Sequence, residues 1–143
     1  MSHTHSKIWI HFVWTTKNRI SLIDKKIEPI LYDFMYEQFI ESGCRVSIIN
    51  GMPDHIHCLI LLNQNISIAN VIKQVKGSSA HFVNHNKLIK EKFNWQKGYG
   101  AFSVSEKSLK NTFQYIKMQK VIHNKRYSLN DELSLLKKKK ENF

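Results

Sequence analysis

The run from Lys7 to Thr16, KIWIHFVWTT, sets Ile8, Ile10, Phe12 and Trp14 on one side of an extended chain and Lys7, Trp9, His11 and Val13 on the other. A period of two built from β-forming residues predicts a strand. The period then changes. From about Asp24 to Ser42 the residues Ile27, Ile30, Leu31, Phe34, Met35 and Phe39 recur at helical spacing, and Gly43 stands where helices stop. RVSIING (Arg45 to Gly51) and HIHCLILL (His55 to Leu62) return to strand character, and Met52, Pro53 and Asp54 between them supply the turn chemistry of an antiparallel hairpin. Ser67 is placed to cap a second helix, whose face of Ile68, Val71, Ile72, Val75, Ser79, Phe82 and Val83 runs to about Asn86. After a basic connector around Lys87 to Lys97, YGAFSVS (Tyr99 to Ser105) predicts a fourth strand. A third helix starts at Ser105 or Glu106, puts Leu109, Phe113 and Ile116 on one face, and ends near Asn124.

Strand, helix, hairpin, helix, strand, helix is the split βαβ order of ferredoxin-like and RNA-recognition-like α+β domains, with an antiparallel four-stranded sheet and an extra C-terminal helix. The 143 residues suit a single domain spanning 1–143, with a core over about 6–127 and a basic tail over about 128–143. Within that tail Lys137 to Lys140 read as a solvated charge block. No internal repeat or linker interrupts the pattern.

Composition narrows the partner. The 22 Lys and Arg against 11 Asp and Glu give a net charge of +11, which favours a polyanion and points to nucleic acid before small acidic substrates. Charge alone does not separate DNA from RNA or from an anionic surface. No stretch approaches the ~20 apolar residues of a membrane span and no signal-type segment opens the chain, so the expected location is cytoplasmic, with no membrane partner. Cys44 and Cys58 lack zinc-type spacing and fall about four positions out of register across the expected hairpin, too far for a disulfide; they read as reduced core thiols.

Two elements carry possible chemistry. His55 and His57 lie two apart on a strand, so both imidazoles project from one face while Ile56 and Cys58 face the other way. Such a pair can converge on one ion, or it can be two strand histidines satisfied by neighbouring backbone; spacing leaves both open. A second His-x-His, His3 and His5, sits at the chain start, where disorder is expected. His11, His81 and His85 are most simply surface or packing residues. In YIKMQ (Tyr115 to Gln119) the spacing stacks Tyr115 and Gln119 on one stripe of the third helix, and Tyr115 is turned about 100° from the core-facing Ile116. A flanking tyrosine of this kind is commonly a packing residue with a solvated hydroxyl.

Taken together, HFVWTTKNR (His11 to Arg19), NGMPDHIHCLI (Asn50 to Ile60), KQVKGSSA (Lys73 to Ala80), WQKGYGAFSVS (Trp95 to Ser105) and YIKMQ resemble the single-tyrosine HUH transposases of small, IS200-like insertion sequences and their relatives that act on repetitive palindromic elements. The resemblance covers nearly the whole chain in the right order, and the family's His-hydrophobic-His signature corresponds to His55-Ile56-His57. It implies that His55 and His57 bind a divalent metal, that Tyr115 is the nucleophile carried on the extra helix, and that Gln119 is the third protein ligand. His123, one further turn on, would contact DNA or support the metal ligands. The implied activity is single-stranded DNA transposition: metal-dependent cleavage and rejoining through a 5′-phosphotyrosine intermediate at hairpin-bearing element ends.

Such chemistry suits these residue types. A cation stabilises the charge on the phosphate oxygens during attack, and a phenol, with a reference pKa of about 10, needs a nearby metal, water or base to become a nucleophile. Because the phosphotyrosine conserves the broken bond, no nucleotide cofactor is needed; no P-loop is present, and Lys76-Gly77-Ser78-Ser79 is only a fragment of one. By softness two imidazoles suit Mn, Zn or Ni better than Mg. The resemblance implies Mg or Mn, with phosphate and water supplying hard oxygen ligands. DNA contacts are expected from Lys17, Arg19, Lys73 and Lys76, and from the connector lysines Lys87, Lys90, Lys92 and Lys97, as a summed field more than as single contacts. The resemblance also implies a homodimer in which the tyrosine helix can complete the partner's site.

Competing readings are a domesticated endonuclease of palindromic repeats with the same chemistry, a non-catalytic nucleic-acid-binding module, and a metal-dependent phosphodiesterase that uses water. A binding module of this fold usually stacks bases on strand aromatics, and the third strand has none.

Overall fold

Alternation in the first strand becomes burial on both of its sides. In the computed structural model, which describes residues 4–124, β1 (Trp9–Thr15) is buried from Ile10 to Trp14 on either face. His3, the side chain of His123, and the tail over about 128–143 with Lys137 to Lys140 lie outside the described residues. Double-sided burial follows from position: the sheet order is β2-β3-β1-β4, with β2 (Arg45–Met52), β3 (His55–Leu61) and β4 (Gly100–Val104), so β1 and β3 are the central pair. All neighbours are antiparallel, the order and sense of a ferredoxin-like sheet.

Register sorts the faces. Residues directly opposite share a face, and Val13 pairs with His57, Thr15 with His55 and Asn50 with His57. One face therefore carries Ile10, Phe12 and Trp14 of β1 with Ile56, Cys58 and Ile60 of β3. They are packed against Leu31, Met35 and Phe39 of α1 (Glu28–Glu41) and Val71, Ile72, Val75 and Val83 of α2 (Ile68–His85). The other face carries His11, His55, His57 and Leu59, and a smaller cluster of Leu59, Val104 and Ile116 holds α3 (Leu109–Lys117) against it.

Local chemistry sets the ends. Asp24 turns the chain into α1, its carboxylate accepting from the backbone N–H of Lys26 at 2.8 Å and of Ile27 at 2.9 Å; α1 itself begins later than its periodicity predicts, at Glu28, with Pro29 in its first turn. Gly43 ends it with φ +80°, a conformation that costs glycine little. Ser67 caps α2 as expected, its hydroxyl accepting from Asn70 N at 3.1 Å. The hairpin turns over Pro53 and Asp54, and Gly51 is required there because a Cβ would strike the His55 carbonyl and the Ile56 Cα. Both cysteines are buried and free.

The third helix departs from the expected single run to Asn124. A 3-10 turn over Glu106–Ser108 precedes α3, the helix breaks at Met118, and α4 (Gln119–Asn124) follows. No glycine or proline marks the break. It is compensated from outside: the Asn50 side chain on β2 donates through Nδ2 to the carbonyls of Ile116 at 3.0 Å and Lys117 at 3.2 Å, taking the place of helical donors.

Candidate active site

Strand β3 presents His55 and His57 on the face covered by α3 and α4, and both are buried, at 1% and 0% exposure. Leaving a buried polar group without a partner costs about 1–3 kcal/mol, so the partners of these rings say what state they are built for. His55 Nδ1 lies 2.8 Å from Asp54 Oδ1. The hydrogen bond with His55 holds the Asp54 carboxyl below its ordinary value against the opposing effect of burial, with the Arg19 charge adding to it, so Asp54 is an ionised acceptor and His55 Nδ1–H donates. In the neutral ring that leaves the lone pair on the second nitrogen, Nε2, the tautomer a metal ligand needs.

His57 is oriented by a residue the sequence reading set aside. His11 is fully buried, and its Nε2 lies 2.8 Å from His57 Nδ1. The two sit diagonally on one face, because β1 and β3 pair Val13 with His57 and His11 with Leu59. His11 is therefore neither a surface residue nor simple packing. A donated Nδ1–H from His57 to His11 would again leave Nε2 as the lone-pair atom of His57. His81 and His85, by contrast, stack on each other at the exposed surface of α2, as read from sequence.

Tyr115 and Gln119 complete the cluster. The half-buried Tyr115 ring stands edge-on to His57 with centroids 5.7 Å apart, and edge-on to His11 at 6.1 Å. Gln119 is fully buried; its Nε2 donates to the Tyr115 carbonyl at 3.5 Å, which turns Oε1 towards His55 Nε2 at 3.3 Å. With His55 Nε2 as the lone-pair atom, the two would face each other in an arrangement that suits a cation between them. Ligands on neighbouring vertices of an ion, each about 2.1 Å from it, stand about 3 Å apart. Among the described residues no group of three or more His, Cys, Asp or Glu could hold an ion, and the oxygen that stands beside the imidazoles is that of the Gln119 amide.

The basic residues divide. Lys17 and Arg19 are exposed on the 3-10 turn after β1, at the sheet end that holds His55, where Thr16 N donates to the Asp54 carbonyl at 2.9 Å. In that turn Asn18 and Arg19 both have φ +55°, a strained conformation of the sort concentrated at functional sites. Lys73 is exposed on α2, which covers the opposite face, so it stands apart from the histidines. Lys76 is half-buried and engaged: its ammonium donates to the carbonyls of Gln96 at 2.7 Å and Gly98 at 2.8 Å, and burial lowers its pKa. It holds the connector that borders a cleft of about 360 Å³, which Val13, Thr15, Tyr99, Gly100 and Phe102 help to line beside the histidine strand.

Fold and site together define a ferredoxin-like α+β domain in which a His-Ile-His strand faces a tyrosine on α3. The sequence profile of the family Transposase IS200 like matches residues 4–119, and the chain belongs to that family. Over 115 residues it is 30% identical to the ISDra2 transposase TnpA of Deinococcus radiodurans, covering 76% of this chain and 81% of that one. Two solved structures share the fold. One is assigned as a transposase of D. radiodurans, with a TM-score of 0.67 at 24% identity over 83% of this chain and 95% of that one. The other is a REP-associated tyrosine transposase bound to a REP hairpin, with a TM-score of 0.64 at 18% identity over 86% of this chain and 74% of that one.

Proposed function

We propose that this transposase-family protein cuts and rejoins single-stranded DNA at hairpin-bearing ends through a covalent 5′-phosphate bond to Tyr115, with Mg or Mn held by His55, His57 and Gln119. The observation that carries the reading is the meeting of these four side chains from β3, α3 and α4 on one face of the sheet. A divalent ion bound there would supply positive charge to the scissile phosphate.

Everything else falls to the chain. Asp54 and His11 fix the ring orientation of His55 and His57, and Gln119 sits one turn beyond the tyrosine. Attack by the Tyr115 oxygen forms an O–P bond and breaks the bond from phosphorus to the 3′-oxygen, which leaves as a 3′-hydroxyl with the equivalent of the phenolic proton. Return attack by a 3′-hydroxyl restores the phenol and the phosphodiester. No oxidant, reductant or nucleotide is required.

We assign DNA contacts to Lys17 and Arg19, with Lys73 and the connector lysines adding to the field; the exposure of Lys17 and Arg19 on the turn beside Asp54 supports this. Hairpin DNA is the proposed partner, supported by the REP hairpin bound to a protein of this fold. A homodimer is proposed as the working form, and the Tyr115 ring beside His57 of its own chain supports a site assembled within one subunit. We place the activity in the cytoplasm; among the described residues no helix is long and apolar enough to cross a membrane. The REP-associated neighbour also supports a second reading with identical chemistry, cleavage of host palindromic repeats without mobilisation.

The test is a denaturing gel of protein incubated with labelled single-stranded element ends and Mg or Mn. A metal-dependent protein–DNA band, absent in Tyr115→Phe, is expected. Cleavage that survives in that variant would instead make the protein a nuclease that uses water.

A further inference from the structure

The break at Met118 separates the proposed nucleophile from a proposed metal ligand, so something must set the angle between the two helix pieces. Helix α4 is too short to hold its own direction, since isolated helices below about 12 residues are marginal. The contacts that hold it come from elsewhere in the chain. Asn50 Nδ2 donates to the last carbonyls of α3, Ile116 at 3.0 Å and Lys117 at 3.2 Å. Its other amide atom, Oδ1, accepts from Lys120 Nζ of α4 at 2.9 Å. Lys120 Nζ also donates to the Gly51 carbonyl at 3.1 Å and pairs with Glu28 of α1 at 3.0 Å.

One asparagine thus uses both ends of its amide on the two sides of the break, and it sits on β2 directly opposite His57. We infer that Asn50, braced by Lys120 and Glu28, is a positioning residue that fixes α4 relative to α3 and so presents Gln119 to His55 while Tyr115 stays against His57. This rests on the proposed roles of Gln119 and Tyr115. Asn50 acts through the backbone between them, at the carbonyls of Ile116 and Lys117. Alanine removes both ends of the bridge. Aspartate keeps the acceptor for Lys120 but places an oxygen where the α3 carbonyls need a donor, so it separates the two halves of the device.

The experiment compares wild type, Asn50→Ala, Asn50→Asp, Lys120→Met and Lys120→Arg. It reads three quantities: amide hydrogen exchange at residues 118–121, the Mn concentration that half-saturates Tyr115 adduct formation, and DNA affinity. Expected in Asn50→Ala and Asn50→Asp are exchange at 118–121 at least tenfold faster with β3 protection unchanged, a Mn requirement raised about tenfold, and unaltered DNA affinity. Lys120→Met should move the same readouts by a smaller factor, and Lys120→Arg should restore them. Wild-type exchange at 118–121 in Asn50→Ala would overturn the proposal, and so would faster exchange with an unchanged Mn requirement. Loss of β3 protection would also overturn it, by making Asn50 a general structural residue. If wild type itself forms no adduct, the functional reading fails, while the exchange pattern still decides whether Asn50 holds the break.

Discussion

The two faces of the sheet are both buried and differ in what they bury. Under α1 and α2, β1 and β3 contribute Ile10, Phe12, Trp14, Ile56, Cys58 and Ile60, an apolar layer whose stability comes from area removed from water. On the face under α3 and α4 the same two strands contribute His11, His55 and His57, joined by the Gln119 amide, with Val13 and a small patch of Leu59, Val104 and Ile116 as buried apolar residues. Polar burial of that kind is a poor way to stabilise a fold, since the desolvation it costs is offset only where contacts such as Asp54 on His55 and His11 on His57 form. The contrast teaches that one face holds the domain together and the other gathers the polar groups on which the proposed chemistry rests. Substitutions on the first should cost stability, and on the second activity.

The comparison breaks most sharply at Tyr115. Tyr115→Phe should lower covalent adduct formation by at least about a thousandfold while leaving the melting temperature nearly unchanged, measured by gel and by thermal unfolding; the lost oxygen is the proposed nucleophile and the ring contacts remain. A large drop in melting temperature would assign the hydroxyl to the fold. On the opposite face, Phe12→Ala should cost about 3–5 kcal/mol of stability in denaturant titration, because it empties a fully buried ring site against Phe39. What remains folded at low temperature should still bind Mn.

A finer test uses His11. His11→Phe keeps an aromatic of similar shape but removes the partner of His57, and should weaken Mn binding about 10–100-fold by calorimetry, the usual cost of losing an oriented second hydrogen bond to a ligand. Unchanged affinity would return His11 to packing. The smallest effect belongs to the surface. Lys17→Gln should weaken DNA binding modestly and reduce the slope of log affinity against log salt by about one, whereas Lys76→Gln should do neither and should instead loosen the connector over 96–98.

Most of the apolar face was legible in the sequence, because its signals are local: the two-residue period of β1, the helical period from Leu31 to Phe39, the Ser67 cap and the Pro53-Asp54 turn. On the other face, the shared side of His55 and His57 follows from strand geometry alone, and the stripe from Tyr115 to Gln119 from helical spacing. What escaped depends on pairing between distant segments. His11 joins the site only because β1 lies beside β3 in one register, and the histidine before Phe12 gives no hint of that by itself. Asp54 reads as a turn residue until its carboxylate is seen on His55. Lys76 reads as one of the DNA-contacting lysines until the connector is seen folded back onto its ammonium. The break at Met118 has no local marker, since its donor is an asparagine on β2.

The most direct test of the account is to digest the protein–DNA adduct formed with Mn and a single-stranded element end, and to identify the peptide that carries the nucleotide by mass spectrometry. The account predicts a 5′-phosphate on Tyr115 and on no other residue. A nucleotide on a different tyrosine, such as the exposed Tyr99, or DNA cleaved with no adduct on any peptide, would contradict it.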